Sequence, residues 1–293
     1  MIHQATLFGE SQLSGIVNVA SVPQRSPFRY PGGKTWLVPR IRQWLATKPG
    51  KPDQMIEPFA GGGIVGLTVA FEGLANSVLM VELDDDVAAV WEVILRDDGA
   101  TLAEDIALFQ LTYDSVTQLL AKEPVDLHER AFRTIVKNRV QRGGILAPGA
   151  GLVKQGENGK GLASRWYPET LKRRILNIVA IRDRICFIKA DGLEVLRQNS
   201  TKGNTVFFID PPYTAAGKKA GSRLYTHSIL NHDELFRAAS ALAGDFLMTY
   251  DNTPEVRDLA NWYGLDTLAV AMKNTHHAKM TELLIGRDLD WAR

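Results

Sequence analysis

Val206-Phe207-Phe208-Ile209-Asp210-Pro211-Pro212-Tyr213 is an apolar run that ends on an acid, two prolines and an aromatic ring. β-Branched and aromatic residues without polar interruption predict a strand buried on both faces of a parallel sheet. The prolines end the ladder, because neither offers an N–H and each fixes φ. A stiff turn at the carboxyl end of such a strand lies where open α/β sheets bind their ligands. It presents the Asp210 carboxylate, the Pro211 carbonyl and the Tyr213 ring. That set suits a planar base with an exocyclic amino group, giving two acceptors for the NH₂ and a face to stack on. For the tetrapeptide alone, a capped strand-terminating turn is an equally good reading.

Two upstream elements shift that balance. Met55-Ile56 leads into Glu57-Pro58-Phe59-Ala60-Gly61-Gly62-Gly63, and Ile64-Val65-Gly66-Leu67-Thr68-Val69-Ala70 follows with a helical pattern. A strand, a glycine loop and a helix start allow a ligand to approach the backbone and meet unpaired N–H groups. About 20 residues on, Val78-Leu79-Met80-Val81-Glu82 predicts a second strand ending in an acid, where a doubly wound sheet places a carboxylate on ribose hydroxyls. Asp84, Asp85 and Asp86 lie close enough to share that role; Glu82 is preferred as the first acid after the strand. Nearer the N-terminus, Phe28-Arg29-Tyr30-Pro31-Gly32-Gly33-Lys34 predicts a tight turn before an amphipathic helix carrying Trp36, Leu37, Ile41, Trp44 and Leu45. Pro39 is admissible only in the first turn of that helix. Lys34 taken alone reads as a solvated lysine.

In this order the elements resemble the Dam-like (D12 class) DNA adenine-N6 methyltransferases. The resemblance also takes in Lys279-Met280-Thr281-Glu282-Leu283-Leu284-Ile285, similar to the closing Glu-Leu-Leu strand of that family. It implies an α/β chain with a Rossmann-like S-adenosylmethionine-dependent methyltransferase sheet and a helical target-recognition insert. It implies a site-specific DNA methyltransferase moving a methyl group from S-adenosylmethionine to N6 of a flipped adenine in double-stranded DNA, with S-adenosylhomocysteine as product. Tyr30, Lys34, Glu57, Pro58, Phe59, Gly61 and Gly63 would hold the cofactor, Lys34 and the glycine loop at its methionine part, and Glu82 its ribose. Asp191 would meet the cofactor adenine, although Gly192 stands where the family often carries an aromatic residue, and a helix cap competes for Asp191. Asp210, Pro211, Pro212 and Tyr213 would form the catalytic turn. Asp210 and the Pro211 carbonyl would accept both N6 protons and turn the lone pair out of conjugation, while Tyr213 would stack on the flipped base.

Composition sets the frame. The chain has 293 residues, 45% of them hydrophobic, which suits a globular protein with a real core. It has no apolar run long enough to span a membrane, and its first 25 residues lack the pattern of a signal peptide. The single Cys186 excludes an internal disulfide and a cysteine-rich zinc site; its apolar neighbours predict a buried strand residue. These features fit the cytoplasm, and the resemblance implies a bacterial or phage-encoded protein acting on DNA. Net charge is only +1, yet residues 130–184 hold 13 Lys and Arg against 3 acids, and residues 82–126 hold 12 acids against 2 bases. That asymmetry predicts one basic face, suited to phosphates.

The expected division is a loose tail (1–25), a catalytic domain built from 26–98 and 184–293, and a helical basic insert (99–183). Within the insert, helical spacing covers 102–120 and 126–140, the latter with a capping box from Asp126 to Glu129, and Pro168 starts a helix over 169–182. Seven of the 19 residues at 143–161 are glycine. A long glycine-rich loop beside Asn138, Arg139, Arg142, Lys154, Lys160 and Arg165 predicts a DNA-reading segment that orders on binding. Lys218, Lys219 and Arg223, after the catalytic turn, are placed to touch phosphates, and His227 to contact DNA. Trp166 and Tyr167 could enter DNA or pack in the core. Asp251 and Asn252 read as a plain turn. The histidine spacings give no metal site.

Other functions remain open. The same fold could act on cytosine N4, RNA or protein, where the families concerned tend to carry Ser or Asn at the position of Asp210. A catalytically idle DNA-binding protein is a second alternative, and a dinucleotide-dependent oxidoreductase a third. A paired restriction enzyme stays open as a partner, and a monomer is the default because one transferred methyl needs one site.

Overall fold

The computed structural model describes residues 21–30, 32–96, 98–156, 159–212, 230–273 and 279–293. Tyr213, Lys218, Lys219, Arg223 and His227 lie outside the described residues. Among the described residues seven strands form one sheet: β1 (Gln54–Glu57), β2 (Ser77–Glu82), β3 (Ile185–Lys189), β4 (Thr205–Ile209), β5 (Asp245–Asp251), β6 (Asp266–Lys273) and β7 (Lys279–Gly286). Their order is β3-β2-β1-β4-β5-β7-β6. The first five are mutually parallel, and β7 slots antiparallel between β5 and β6. β4 is buried at every position, as its uninterrupted apolar run requires. The chain runs outward from β1 to β3, then returns to lay β4 on the other side of β1. That reversal opens a crevice at the carboxyl ends of β1 and β4, the switch point of a doubly wound sheet.

Helices cover both faces. α1 (Val38–Ala46) follows a 3₁₀ turn (Thr35–Leu37) and carries Pro39 in its first turn, where no N–H is needed. α2 (Ile64–Glu72) starts at Gly63, and α3 (Asp85–Leu95) is capped by Asp84, which accepts from the Asp86 and Val87 amides. These pack with Met55, Val78, Met80, Val206 and Phe208 on one side of the sheet. α8 (Gly192–Gln198), α9 (His232–Ser240) and α10 (Pro254–Trp262) cover Ile56, Val81, Phe207, Ile209 and Met248 on the other. No helix among the described residues is long and apolar enough to cross a membrane.

The insert contributes α4 (Gly99–Leu108), α5 (Tyr113–Ala121), α6 (Leu127–Val140) and α7 (Pro168–Val179). The single helix expected over 102–120 is two. Residues 109–112 break it because Thr112 accepts from the Ser115 amide while the Ser115 hydroxyl takes the Thr112 amide, a capping box that starts a new helix. Phe109, freed at the break, turns edge-on to Phe132 and Trp166. α7 ends three residues before the expected 182. The α6 cap is half reciprocal: Asp126 accepts from the Glu129 amide, but Glu129 takes the Val125 amide and Lys122 instead of the Asp126 amide. Leu102, Ile106, Ile135, Leu171 and Ile175 share one apolar cluster with Val87, Val90 and Ile94 of α3, so the insert is packed onto the sheet domain instead of hanging from it. Cys186 corrects another expectation. β3 is an edge strand of the sheet, and Cys186 is exposed there.

Asp126→Ala removes the side-chain acceptor at the α6 N-terminus. It should lower unfolding free energy by about 1 kcal/mol, read by urea denaturation.

Candidate active site

β1 and β4 are neighbours, and each ends on an acid: Glu57 closes β1 and Asp210 follows β4. Parallel pairing therefore brings two carboxylates to the same crevice from positions 153 residues apart. The crevice opens into a cavity of about 480 Å³. Tyr30, Lys34, Glu57, Pro58, Phe59, Gly61, Gly63, Glu82, Asp191, Asp210, Pro211 and Pro212 all line it. Every residue that the sequence pointed to for cofactor binding, and every described residue of the catalytic turn, thus meets in one place.

The glycine loop is held from three sides. Gly61 and Gly63 adopt left-handed backbone angles, φ 47° and 62°. A Cβ on Gly61 would sit 2.6 Å from the Tyr30 ring, and one on Gly63 would sit 2.4 Å from Met80. The Trp91 indole donates to the Gly61 carbonyl at 2.9 Å. The Glu82 carboxylate accepts from the Gly61 amide at 2.9 Å and from the Leu83 and Asp84 amides at 2.9 and 3.0 Å. Glu82 thereby ties the end of β2 to the loop after β1. Of the nearby acids, Asp84 is spent on capping α3. Asp191 caps α8 through the Leu193 amide while also lining the cavity, so both of its expected roles are open to it. Gly192 is pressed against the loop: a Cβ there would come 2.1 Å from the Pro58 carbonyl oxygen, which leaves no room for a side chain at that position.

Lys34 is no surface lysine. It is 3% exposed, and its ammonium meets Asp210 Oδ1 at 2.9 Å, Glu282 Oε1 at 3.1 Å and the Gly32 carbonyl at 2.9 Å. These are three acceptors for the three donors of an ammonium. Burial alone would lower its pKa, but Asp210 and Glu282 outweigh that and raise it, so Lys34 stays charged. Asp210 Oδ1 also accepts from the Thr249 hydroxyl at 2.8 Å. Thr249 and Glu282 did not stand out in the sequence as site residues. The available signal was a polar side chain inside an otherwise apolar strand close to the ligand-binding edge.

The expected DNA-contacting residues divide. Asn138 is corrected: it is fully buried, and its side chain is used on backbone, accepting from the Arg29 amide and donating to the Arg29 and Gly144 carbonyls. Arg139 and Arg165 line the cavity together with Arg29 and Arg174, which the sequence had not singled out. Arg139 is 7% exposed and donates to the Pro27 carbonyl, while its Nε has no partner. Burial, then the neighbouring Arg174, Arg29 and Arg165, push its pKa down to about 9. Arg142, Lys154 and Lys160 are exposed and off the cavity. The glycine-rich segment is fastened at its start, where Gln141 bridges to Leu152 and the Val153 amide meets the Val140 carbonyl at 2.8 Å. Trp166 packs in the insert, whereas Tyr167 is half exposed at the cavity. Asn252 bonds Thr281 and Arg257 away from the cavity, as a plain turn would.

The model of the family "D12 class N6 adenine-specific DNA methyltransferase" matches residues 30–265, and the chain belongs to that family. It is accordingly an adenine-specific DNA methyltransferase that uses S-adenosylmethionine. No curated protein matches the chain. Among solved structures it is similar to the rRNA methyltransferase aviRa from Streptomyces viridochromogenes, at 12% identity and a TM-score of 0.43 over 94% of this chain and 95% of that one. It is also similar to TYW2 from Pyrococcus horikoshii in complex with MeSAdo, at 10% identity and a TM-score of 0.32 over 93% and 67%. The site suits the cofactor on its own terms. The cavity is large enough for a nucleoside-sized ligand, a left-handed glycine loop bounds it, and the carboxylates at the ends of β1 and β2 line it.

Glu57 provides a measurable consequence. Burial, and then the charges of Asp210 and Glu82, raise its pKa from 4.5 to about 8 against the opposing Gly66 amide. Between those values the folded protein holds a proton that the unfolded chain has released. Stability contributed by this group therefore falls as pH rises through the window and levels off above it. Glu57→Gln cannot titrate. The stability of wild type minus variant should fall steadily from pH 5 to pH 8 in urea melts; a flat difference would show that Glu57 is ionised throughout.

Proposed function

We propose that this D12 class methyltransferase modifies N6 of an adenine turned out of double-stranded DNA at a specific sequence. The observation that carries the reading is the rigid Asp210-Pro211-Pro212 turn at the β1/β4 switch point, with Asp210 Oδ1 fixed by Lys34 and Thr249. A stacked base cannot bring its amino group to such a recess, so the base must leave the helix, at a cost of a few kcal/mol. Asp210 and the Pro211 carbonyl then accept hydrogen bonds from the two amino N–H groups, which aims the nitrogen lone pair away from the ring; after the nitrogen takes the methyl it releases one of those protons. S-adenosylmethionine supplies the electrophilic methyl. The chain's contribution is position and preorganised acceptors, with no nucleophilic side chain.

In this reading Glu82 holds the ribose hydroxyls, and Glu57 and the loop around Gly61 and Gly63 hold the methionine end. The rim of Arg29, Arg139, Arg165 and Arg174 takes phosphates beside the flipped nucleotide, and residues 99–183 act as the target-recognition region. Tyr213 stacks on the base, and Lys218, Lys219 and Arg223 follow it along the strand. The reading needs one copy of the chain and no restriction enzyme. Asp210 is what favours adenine over a cytosine, RNA or protein amino group.

The test is methyl transfer from labelled S-adenosylmethionine to unmethylated duplex DNA, beside Asp210→Ala. N6-methyladenine at a short recurring site, absent with the variant although cofactor still binds, is the expected result. Transfer to RNA or protein but not to DNA would sink it. Each of Arg142→Ala, Lys154→Ala and Lys160→Ala should lower the slope of log binding constant against log salt by about 0.9 if that residue neutralises a phosphate. An unchanged slope removes the residue from the interface.

A further inference from the structure

Lys34, Thr249, Glu282 and Asp210 come from four separate parts of the chain, and their contacts run from Glu282 through Lys34 to Asp210 Oδ1, which Thr249 also meets. Glu282 is 4% exposed on β7, where its backbone pairs with Asp251 of β5. Thr249 stands two residues earlier on β5, on the same face of the sheet. A buried carboxylate away from the reacting atoms is costly unless it is paired and bonded. Lys34 on its own would neutralise Asp210, so charge balance does not explain why a second acid is placed there.

Geometry explains it. A lysine ammonium sits on a flexible four-carbon stem and behaves as a point charge. Held by Asp210 alone, it could follow that carboxylate through any rotation. Held also by Glu282, whose strand is paired on both sides by β5 and β6, it becomes a fixed point. Two paired strands then set the rotation of the Asp210 carboxylate: Thr249 donates to it directly, and Glu282 accepts from Lys34 and so fixes the ammonium that donates to it.

We propose that Glu282 and Thr249 are positioning residues for methyl transfer, Glu282 acting through Lys34, so that Asp210 meets the substrate amino group in one orientation. On this view Lys34 serves the catalytic carboxylate instead of the cofactor's methionine end. The proposal rests on the reading of Asp210 as the acceptor of the amino group.

The experiment measures single-turnover methyl transfer and cofactor dissociation constants for full-length variants on duplex DNA. Glu282→Gln and Thr249→Val should each lower the single-turnover rate by about tenfold, which is roughly 1.4 kcal/mol of barrier, with cofactor affinity within twofold of wild type. Lys34→Met should lose at least as much. Adding Glu282→Gln to Lys34→Met should cost nothing further in rate and should raise the melting temperature above that of Lys34→Met, because the double variant no longer buries a second carboxylate that has lost the Lys34 ammonium. Multiplying losses in the double variant, or a Glu282→Gln that weakens cofactor binding while keeping a wild-type rate at saturation, would overturn the proposal. Should Glu282→Gln fail to fold, Glu282→Asp keeps the charge and withdraws it by one methylene. A severalfold slower rate then supports the positioning role, and a wild-type rate overturns it. Asp210→Ala separates the two levels. Transfer surviving in that variant defeats the underlying reading, whereas an inactive Asp210→Ala beside wild-type rates for Glu282→Gln and Thr249→Val defeats only this inference.

Discussion

The site is governed by one electrostatic constraint: several carboxylates converge at the carboxyl edge of one sheet, and a single buried ammonium links two of them. Glu57, Glu82 and Asp210 each stand at or just after the end of a parallel strand, whereas Glu282 lies midway along antiparallel β7, opposite Asp251 at the end of β5. Parallel packing gives the first three no choice of direction, since every parallel strand brings its last residue to the same edge. The four are managed differently. Glu82 accepts from three backbone amides, which fix its carboxylate in place. Glu57 meets one amide, from Gly66, and takes a raised pKa. Asp210 and Glu282 share the Lys34 ammonium, which lies between them.

That ammonium has to be delivered from outside the sheet, and the delivery ties the molecule together. Residues 26–34 run between the insert and the glycine loop. Phe28 packs its ring on Trp91 and edge-on to Tyr30, whose own ring lies over Gly61 and Gly62. From the other side, Asn138 brackets the backbone of Arg29, and Arg139 and Arg174 bond the carbonyls of Pro27 and Ser26. The segment that carries Lys34 is therefore bonded to the insert helices and packed on the loop after β1. A displacement of α6 would be felt at Lys34 through a short chain of direct contacts.

Much of this was legible in the sequence because parallel strands write themselves as apolar runs. Val206-Phe207-Phe208-Ile209 could be little else, and the acid after it had to fall at the ligand edge. The glycine loop and Glu82 follow from spacing. Less legible was what the polar residues do with one another. Asn138 and Arg139 sit side by side in a basic stretch and look alike as DNA contacts, yet helical geometry turns Asn138 inward to the backbone of Arg29 while Arg139 reaches the cavity. Lys34 reads as solvated because nothing local marks it as buried. Its partners are 176 and 248 residues away, and such pairing exists only once the sheet has formed. The break at residues 109–112 was missed for a local reason: apolar periodicity continues across it, and only the Thr112–Ser115 cap marks the interruption.

The distribution of charge around the cavity bears on how two ligands of opposite character share it. The floor carries Glu57, Glu82 and Asp210; the wall from the insert and the 26–34 segment carries Arg29, Arg139, Arg165 and Arg174. In the proposed reading the cofactor, cationic at its sulfonium and amino groups, is drawn to the floor, and the polyanionic strand to the wall. Burial, and then crowding among the arginines, depresses Arg139; in the same reading a phosphate arriving there offsets the crowding and favours the charged form. Separation of the two fields also guards against a wrong arrangement. A phosphate pushed onto the floor would meet carboxylates, and a sulfonium at the wall would meet arginines. The net charge of +1 hides both fields, because each nearly cancels the other in the sum.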